Sequence, residues 1–126
     1  MRIIIVEPSV LSRNIYRLLL QQRKGSARIS VLESVEELSV EDFADEPPAA
    51  MVIGAAALTG AYAKYRGLLT DVALWSATPK LVVTSLSHRD GGRAAWDDWA
   101  GTHVVARPFR PENFQTAFDA LLKKKS

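Results

Sequence analysis

Arg2-Ile3-Ile4-Ile5-Val6 is an unbroken run of mostly β-branched residues, closed at once by Glu7-Pro8-Ser9. A strand with one wet face alternates apolar and polar residues. A run that is apolar at every position belongs to a strand covered on both sides, the habit of parallel sheets. Pro8 cannot extend the ladder, and Ser9 can cap a following helix. There Leu11, Ile15, Leu18 and Leu19 recur at the helical period and are expected to face the core. Arg13, Arg17, Arg23 and Lys24 lie off that stripe or near the carboxyl end, where cations suit the helix dipole, and Gly25 ends the helix.

The same unit recurs along the chain. Arg28 to Leu32 alternates, as a less completely covered strand at a sheet edge would. Ser34-Val35-Glu36-Glu37 is a capping box opening a short helix that fades near Phe43. Pro47-Pro48 forces an extended entry into the buried strand Ala50-Met51-Val52-Ile53, which Gly54 stops. Ala61 to Leu69 reads as a small-residue helix with Tyr62, Tyr65, Leu68 and Leu69 available to pack, and Trp75 is expected to cover the loop after it. Pro79 introduces a fourth strand, Lys80 to Thr84; Ser87-His88-Arg89-Asp90 caps a helix carrying Trp96 and Trp99. His103 to Ala106 is a fifth strand, and Pro111 opens a last helix with the stripe Phe114, Ala117, Phe118, Leu121 and Leu122.

Strand and helix alternate five times, which predicts an α/β, three-layer sandwich around a parallel sheet. Ligands of such sheets sit beyond the carboxyl ends of the strands. The residues that decide function are therefore Glu7-Pro8-Ser9, Gly54-Ala55-Ala56, Thr84-Ser85 and Arg107-Pro108-Phe109.

Composition narrows the function. The 126 residues, 48% hydrophobic and 24% charged, suit one domain spanning residues 1–126 with one core. Sixteen Lys/Arg against fourteen Asp/Glu leave a net charge of +2, too little surplus to grip a phosphate backbone, and no nucleic-acid partner is expected. Lys123 to Lys125 read as a solvated helix end. Cysteine is absent, which removes thiol catalysis and thiolate metal sites, and His88 and His103 are too isolated to suggest zinc. The opening apolar run is too short for a signal peptide or a membrane span, so a cytoplasmic protein with no membrane partner is expected.

The strand-end residues resemble those of the response-regulator receiver family. Ala106-Arg107-Pro108-Phe109 is similar to the family's Lys-Pro-Phe after the fifth strand, with Pro111-Glu112 opening the next helix. Pro79 to Thr84 places Thr84 on the family's hydroxyl position, and Arg2 to Val6 is followed by Glu7 where the family has an acidic pair. The resemblance implies a (βα)5, flavodoxin-like (CheY-like) fold with strand order 2-1-3-4-5. It further implies that Glu7 and Pro8 stand for the acidic pair that holds Mg²⁺, Gly54 for the phosphoacceptor aspartate, and Arg107 for the lysine. Val104 stands for the aromatic residue that turns inward on activation.

Measured against that pattern the chain is a degenerate member, a pseudo-receiver. Glycine cannot form an acyl phosphate, Pro8 offers no side-chain oxygen, and one glutamate is a poor Mg²⁺ cage. A one-residue slip in alignment changes nothing, since Ile53, Ala55, Ala56 and Ala57 carry no carboxylate either. Valine at 104 is short and stiff at χ1 and cannot swing. Glu7 and Arg107 either pair across the vacated pocket or both point to water, and Thr84 either contacts a ligand or bonds locally. The expected function is non-enzymatic. It is a phosphorylation-independent module in two-component (phosphorelay) signalling that binds a protein, or itself, through the face of the fourth helix, fifth strand and fifth helix. Trp96, Trp99 and Phe118 are the candidate interface residues, with at least one of the two tryptophans expected in the core instead, and no cofactor is expected. The chain stops just after its last helix, as a domain cut from a longer signalling protein would. The alternatives are a receiver phosphorylated on a non-standard acid and a flavodoxin-like ligand-binding protein; Glu7-Pro8 argues against the latter, because a phosphate loop needs N–H groups, not an anion and a missing donor.

Overall fold

In the computed structural model, which describes residues 1–23, 25–58, 62–85, 102–107 and 109–125, five strands form a single parallel sheet. The strands are β1 (Arg2–Val6), β2 (Arg28–Leu32), β3 (Ala50–Gly54), β4 (Lys80–Ser85) and β5 (Thr102–Arg107), in the order β2-β1-β3-β4-β5. The helices are α1 (Val10–Arg23), α2 (Tyr62–Asp71), α3 (Ala73–Ala77) and α4 (Pro111–Lys125). The segment between β4 and β5, with the expected cap at Ser87 and with Trp96 and Trp99, lies outside the described residues.

Each buried strand sends alternate side chains to opposite layers, because successive Cβ atoms point to opposite faces. Ile3 and Ile5 of β1, Ala50 and Val52 of β3, and Leu81 and Val83 of β4 pack under Tyr16, Leu19, Leu20, Phe114, Phe118 and Leu121 of α1 and α4. Ile4, Val6, Met51, Ile53 and Val82 pack on the other side with Val35, Phe43, Leu58, Leu69 and Trp75. β2 is half-buried at four of its five positions, as an edge strand should be. Among the described residues no helix is long and apolar enough to cross a membrane.

Four sequence expectations change. Of the stripe assigned to α1, only Leu19 is buried; Leu11, Ile15 and Leu18 are 71%, 43% and 57% exposed, and the packed face is Ser12, Tyr16, Leu19 and Leu20. The helix carries two apolar faces, and the one with Tyr16 wins because its ring stacks on Phe114 at 5.9 Å while its hydroxyl reaches the end of β1. Phe118, named above as an interface candidate, is 1% exposed and belongs to the core, one turn beyond Phe114 on the buried stripe of α4. Trp75 does not cover a loop: it sits in α3, 3% exposed, with its ring edge-on to Phe43 at 5.6 Å. The helix expected after Ser34 is two isolated 3₁₀ turns, Val35–Glu37 and Glu41–Phe43. The capping box itself is present, but Leu38 already has extended backbone angles and ends the turn.

Sequence reading did not single out Lys80 as a buried charge. Its side chain is only 2% exposed, and its ammonium donates to the Trp75 carbonyl at 2.6 Å and the Thr78 carbonyl at 2.9 Å, closing the carboxyl end of α3. Burial lowers its pKa to about 8. An unfolded lysine titrates near ~10.4, so above about pH 8 the unfolded chain binds more protons than the folded one and stability rises with pH. Tyr16 acts in the opposite sense only above about pH 10, where the unfolded phenol begins to ionise. Urea midpoints measured from pH 7 to about 9.5 should therefore show a rising component that Lys80→Met removes. An identical pH slope in both proteins would contradict the assignment.

Candidate functional site

β1, β3, β4 and β5 end side by side at one edge of the sheet. Val6 pairs with Ile53, which sets Glu7 next to Gly54; Gly54 pairs with Val83, Thr84 with Ala106, and Ser85 with Arg107. The Glu7 amide still donates to the Leu32 carbonyl at 2.9 Å, so the backbone that carries the carboxylate is fixed by the sheet.

The Glu7 side chain turns inward and is 1% exposed. Its Oε2 accepts from the Ser9 amide at 3.0 Å. Its Oε1 accepts from the Tyr16 hydroxyl at 3.2 Å and from Arg107 Nη2 at 3.4 Å. The other guanidinium arm, Nη1, donates to Ser12 Oγ at 3.0 Å, and the guanidinium carbon lies 5.9 Å from the centre of the Tyr16 ring. Burying an ionised carboxylate is costly unless it is paired and hydrogen-bonded, and these three donors meet that requirement. Burial, reinforced by the adjacent Glu7, holds the Tyr16 hydroxyl well above its ordinary pKa, so the phenol remains a donor at neutral pH. Arg107 is 43% exposed and forms the solvent side of the pair.

The reason for glycine at 54 is steric. A Cβ built there would overlap Glu7 Oε1 and stand 2.6 Å from Glu7 Cδ and 3.1 Å from Oε2. The Glu7 carboxyl group thus fills the volume that any side chain at 54 would enter. Glycine in this position permits a close approach.

The remaining strand-end residues fall into place around this group. Pro8 is exposed and has no side-chain oxygen to offer. Thr84 is 1% exposed within β4, which suits a locally bonded residue better than a ligand contact. Val104 pairs with Val82 and packs, half-buried, on the layer containing Trp75. Of the two readings of Glu7 and Arg107, the structure shows the pair. Ser12 and Tyr16 were missed, because the leucine stripe drew attention away from the neighbouring face; their signal was the spacing Ser12, Tyr16, Leu19 after a Ser9 cap.

A receiver-type Mg²⁺ site does not fit these residues. Mg²⁺ is held through carboxylate oxygens that remain open to the ion and its waters. Here Gly54 and Pro8 supply no side-chain oxygen, and both Glu7 oxygens are engaged inside the protein. Among the described residues no three His, Asp or Glu side chains are grouped to hold a metal.

The Glu7–Gly54 contact makes a quantitative prediction. Gly54→Ala should lower stability by about 1–3 kcal/mol, the usual range for overpacking a filled interior. In a Glu7→Ala background the same change should cost at least ~1 kcal/mol less, because the group it collides with is gone. Urea denaturation of the four proteins measures this coupling, and additive effects would contradict the contact.

No protein-family model matches the sequence, and no curated protein matches it. Solved structures do match in shape. A putative response regulator from Chloroflexus aurantiacus superposes with a TM-score of 0.71 at 20% identity, over 97% of each chain. The receiver domain of a sensor histidine kinase from Pseudomonas aeruginosa, with a magnesium ion coordinated in its active-site cleft, gives 0.74 at 11% identity, again over 97% of each chain. The chemotaxis response regulator CheY4 of Vibrio cholerae gives 0.70 at 13% identity, over 96% of this chain and 98% of that one. With the strand order β2-β1-β3-β4-β5, these likenesses establish the CheY-like, flavodoxin-type fold.

Proposed function

We propose that this chain is a pseudo-receiver, an atypical member of the receiver family that serves two-component signalling as a phosphorylation-independent protein-interaction module without catalysis of its own. One observation carries the reading: the Glu7 carboxyl group is packed against Gly54 and held there by Ser9, Tyr16 and Arg107. In a working receiver the end of the middle strand presents an open nucleophile, and a cation beside it offsets the charge of the incoming phosphoryl group. Here the middle strand ends without a side chain, and the nearest carboxylate is already neutralised from within. The pocket holds a permanent internal ion pair in place of a removable external charge.

The pair also replaces the switch. Glu7 at the end of β1 and Arg107 at the end of β5 are joined across β3 and β4, and Ser12 and Tyr16 join the same group to α1. With Val104 unable to turn, the sheet edge is held in one state. The partner meets a constant surface.

The competing reading, phosphorylation of a non-standard acid, meets Glu7 first, the carboxylate packed against Gly54. In-line attack needs an accessible oxygen, and this one is 1% exposed with its lone pairs directed at three donors. Incubation with acetyl phosphate and Mg²⁺, followed by intact mass and peptide mapping, is expected to give no stoichiometric phosphate adduct. An adduct on Glu7 that disappears in Glu7→Gln would establish the competing reading instead.

A further inference from the structure

We infer that the free edge of β2 is a docking site for an extended segment of another protein, a strand carrying Lys or Arg at every second position. β2 ends the sheet order and pairs with β1 alone. The Arg28 amide donates to the Met1 carbonyl at 2.9 Å, and the Leu32 carbonyl accepts from the Glu7 amide at 2.9 Å. Backbone groups alternate in direction along a strand. Arg28, Ser30 and Leu32 therefore turn theirs toward β1, and Ile29 and Val31 turn theirs outward. Those two N–H and two C=O groups have no partner among the described residues. Just beyond them the edge closes, because the Glu33 and Ser34 amides donate to Glu37 Oε2 at 2.7 and 3.1 Å. Sheets commonly blunt an open edge with lysine, proline or a bulge. Ile29 to Leu32 has neither residue and keeps an unbroken register with β1. The crossover from β2 to β3, built of two 3₁₀ turns, lays no α-helix beside it. An added strand completes such an edge through its main chain and takes specificity from alternate side chains.

Charge selects the occupant. Residues 33–46 hold seven of the fourteen acidic residues, and residues 29–63 hold no Lys or Arg. This crossover runs beside β2 from its carboxyl end, at Glu33, to its amino end, where Glu46 pairs with Arg28 at 3.2 Å. Arg13 engages Glu33 at 3.6 Å and Lys64 engages Glu36 at 3.1 Å. Glu41, Asp42 and Asp45 stay exposed, without a basic partner among the described residues. Leu32 packs in the crossover layer, and Ile29 and Val31 pack in the layer of α1. In a docked strand every second side chain falls on the crossover side, where a cation meets these carboxylates. The side chains between fall beside Ile29 and Val31 and are apolar. A second copy does not suit the edge. Two-fold pairing of β2 with β2 would continue the sheet with like layers abutting and set this acidic crossover against its own image.

The edge uses no pocket side chain, so a phosphate adduct at Glu7 would refute the pseudo-receiver reading and leave this inference standing. The test uses the full chain, ¹⁵N-labelled, titrated with a synthetic strand alternating Val and Lys, and with its Val/Glu counterpart. In the free chain the Ile29 and Val31 amides should exchange with solvent about tenfold or more faster than those of Ser30 and Leu32. The Lys strand should shift the amides of residues 28–33, slow exchange at Ile29 and Val31 about tenfold or more at saturation, and weaken with salt. Glu41→Lys/Asp45→Lys should weaken the Lys strand about threefold or more and strengthen the Glu strand, a reversal that loss of folding cannot produce. Equal binding of both strands, binding of neither, or binding of the Lys strand without protection at Ile29 and Val31 would overturn the inference. So would protection of those two amides that grows with protein concentration in the absence of peptide, which would assign the edge to a second copy.

Discussion

A carboxylate with almost no solvent around it, seated on a glycine, governs the carboxyl edge of this sheet. Removing the Glu7 charge from water is tolerable only because the Ser9 amide, the Tyr16 hydroxyl and the Arg107 guanidinium converge on it. Seating it there is possible only because position 54 has no Cβ. The two conditions depend on each other. Glycine at the end of the middle strand is therefore part of a packed interior.

The pair has structural reach. The pair ties β1 to β5, two strands that never touch in the order β2-β1-β3-β4-β5, and ties both to α1 through Ser12 and Tyr16. Tyr16 then stacks on Phe114, and Phe109 also stacks on Phe114 at 5.7 Å, so α4 and the segment entering it are coupled to the same group. A receiver can change shape because its pocket charge comes and goes. Here the charge is built in and paired within the protein.

Much of this was written in the sequence, and the misses have a common cause. The unbroken Ile3-Ile4-Ile5-Val6 and Ala50-Met51-Val52-Ile53 runs announced strands covered on both faces, and the alternating Arg28–Leu32 announced an edge. Each followed from which residue types can occupy a pleated surface. α1 was different: Leu11, Ile15 and Leu18 are as periodic as Ser12, Tyr16, Leu19 and Leu20, and periodicity alone does not say which of two apolar faces turns inward. That choice was made by Phe114, nearly a hundred residues away, and by the carboxylate of Glu7. Lys80 and Trp75 were hidden for the same reason, since a buried ammonium depends on carbonyls that only the folded α3 supplies. The Glu7–Arg107 pair could be named from the sequence as one of two outcomes, but its hold on Gly54 required coordinates.

The most direct test is the side-chain carboxyl ¹³C resonance of Glu7, assigned by comparison with Glu7→Gln and followed during titration with Mg²⁺ near neutral pH. A carboxylate committed to internal donors predicts a resonance that stays in place while exposed carboxylates respond weakly and without saturation. A saturable shift at Glu7, with parallel shifts at Gly54 and Arg107, would mean that the group opens to the ion, and the account of a permanently filled pocket would be wrong.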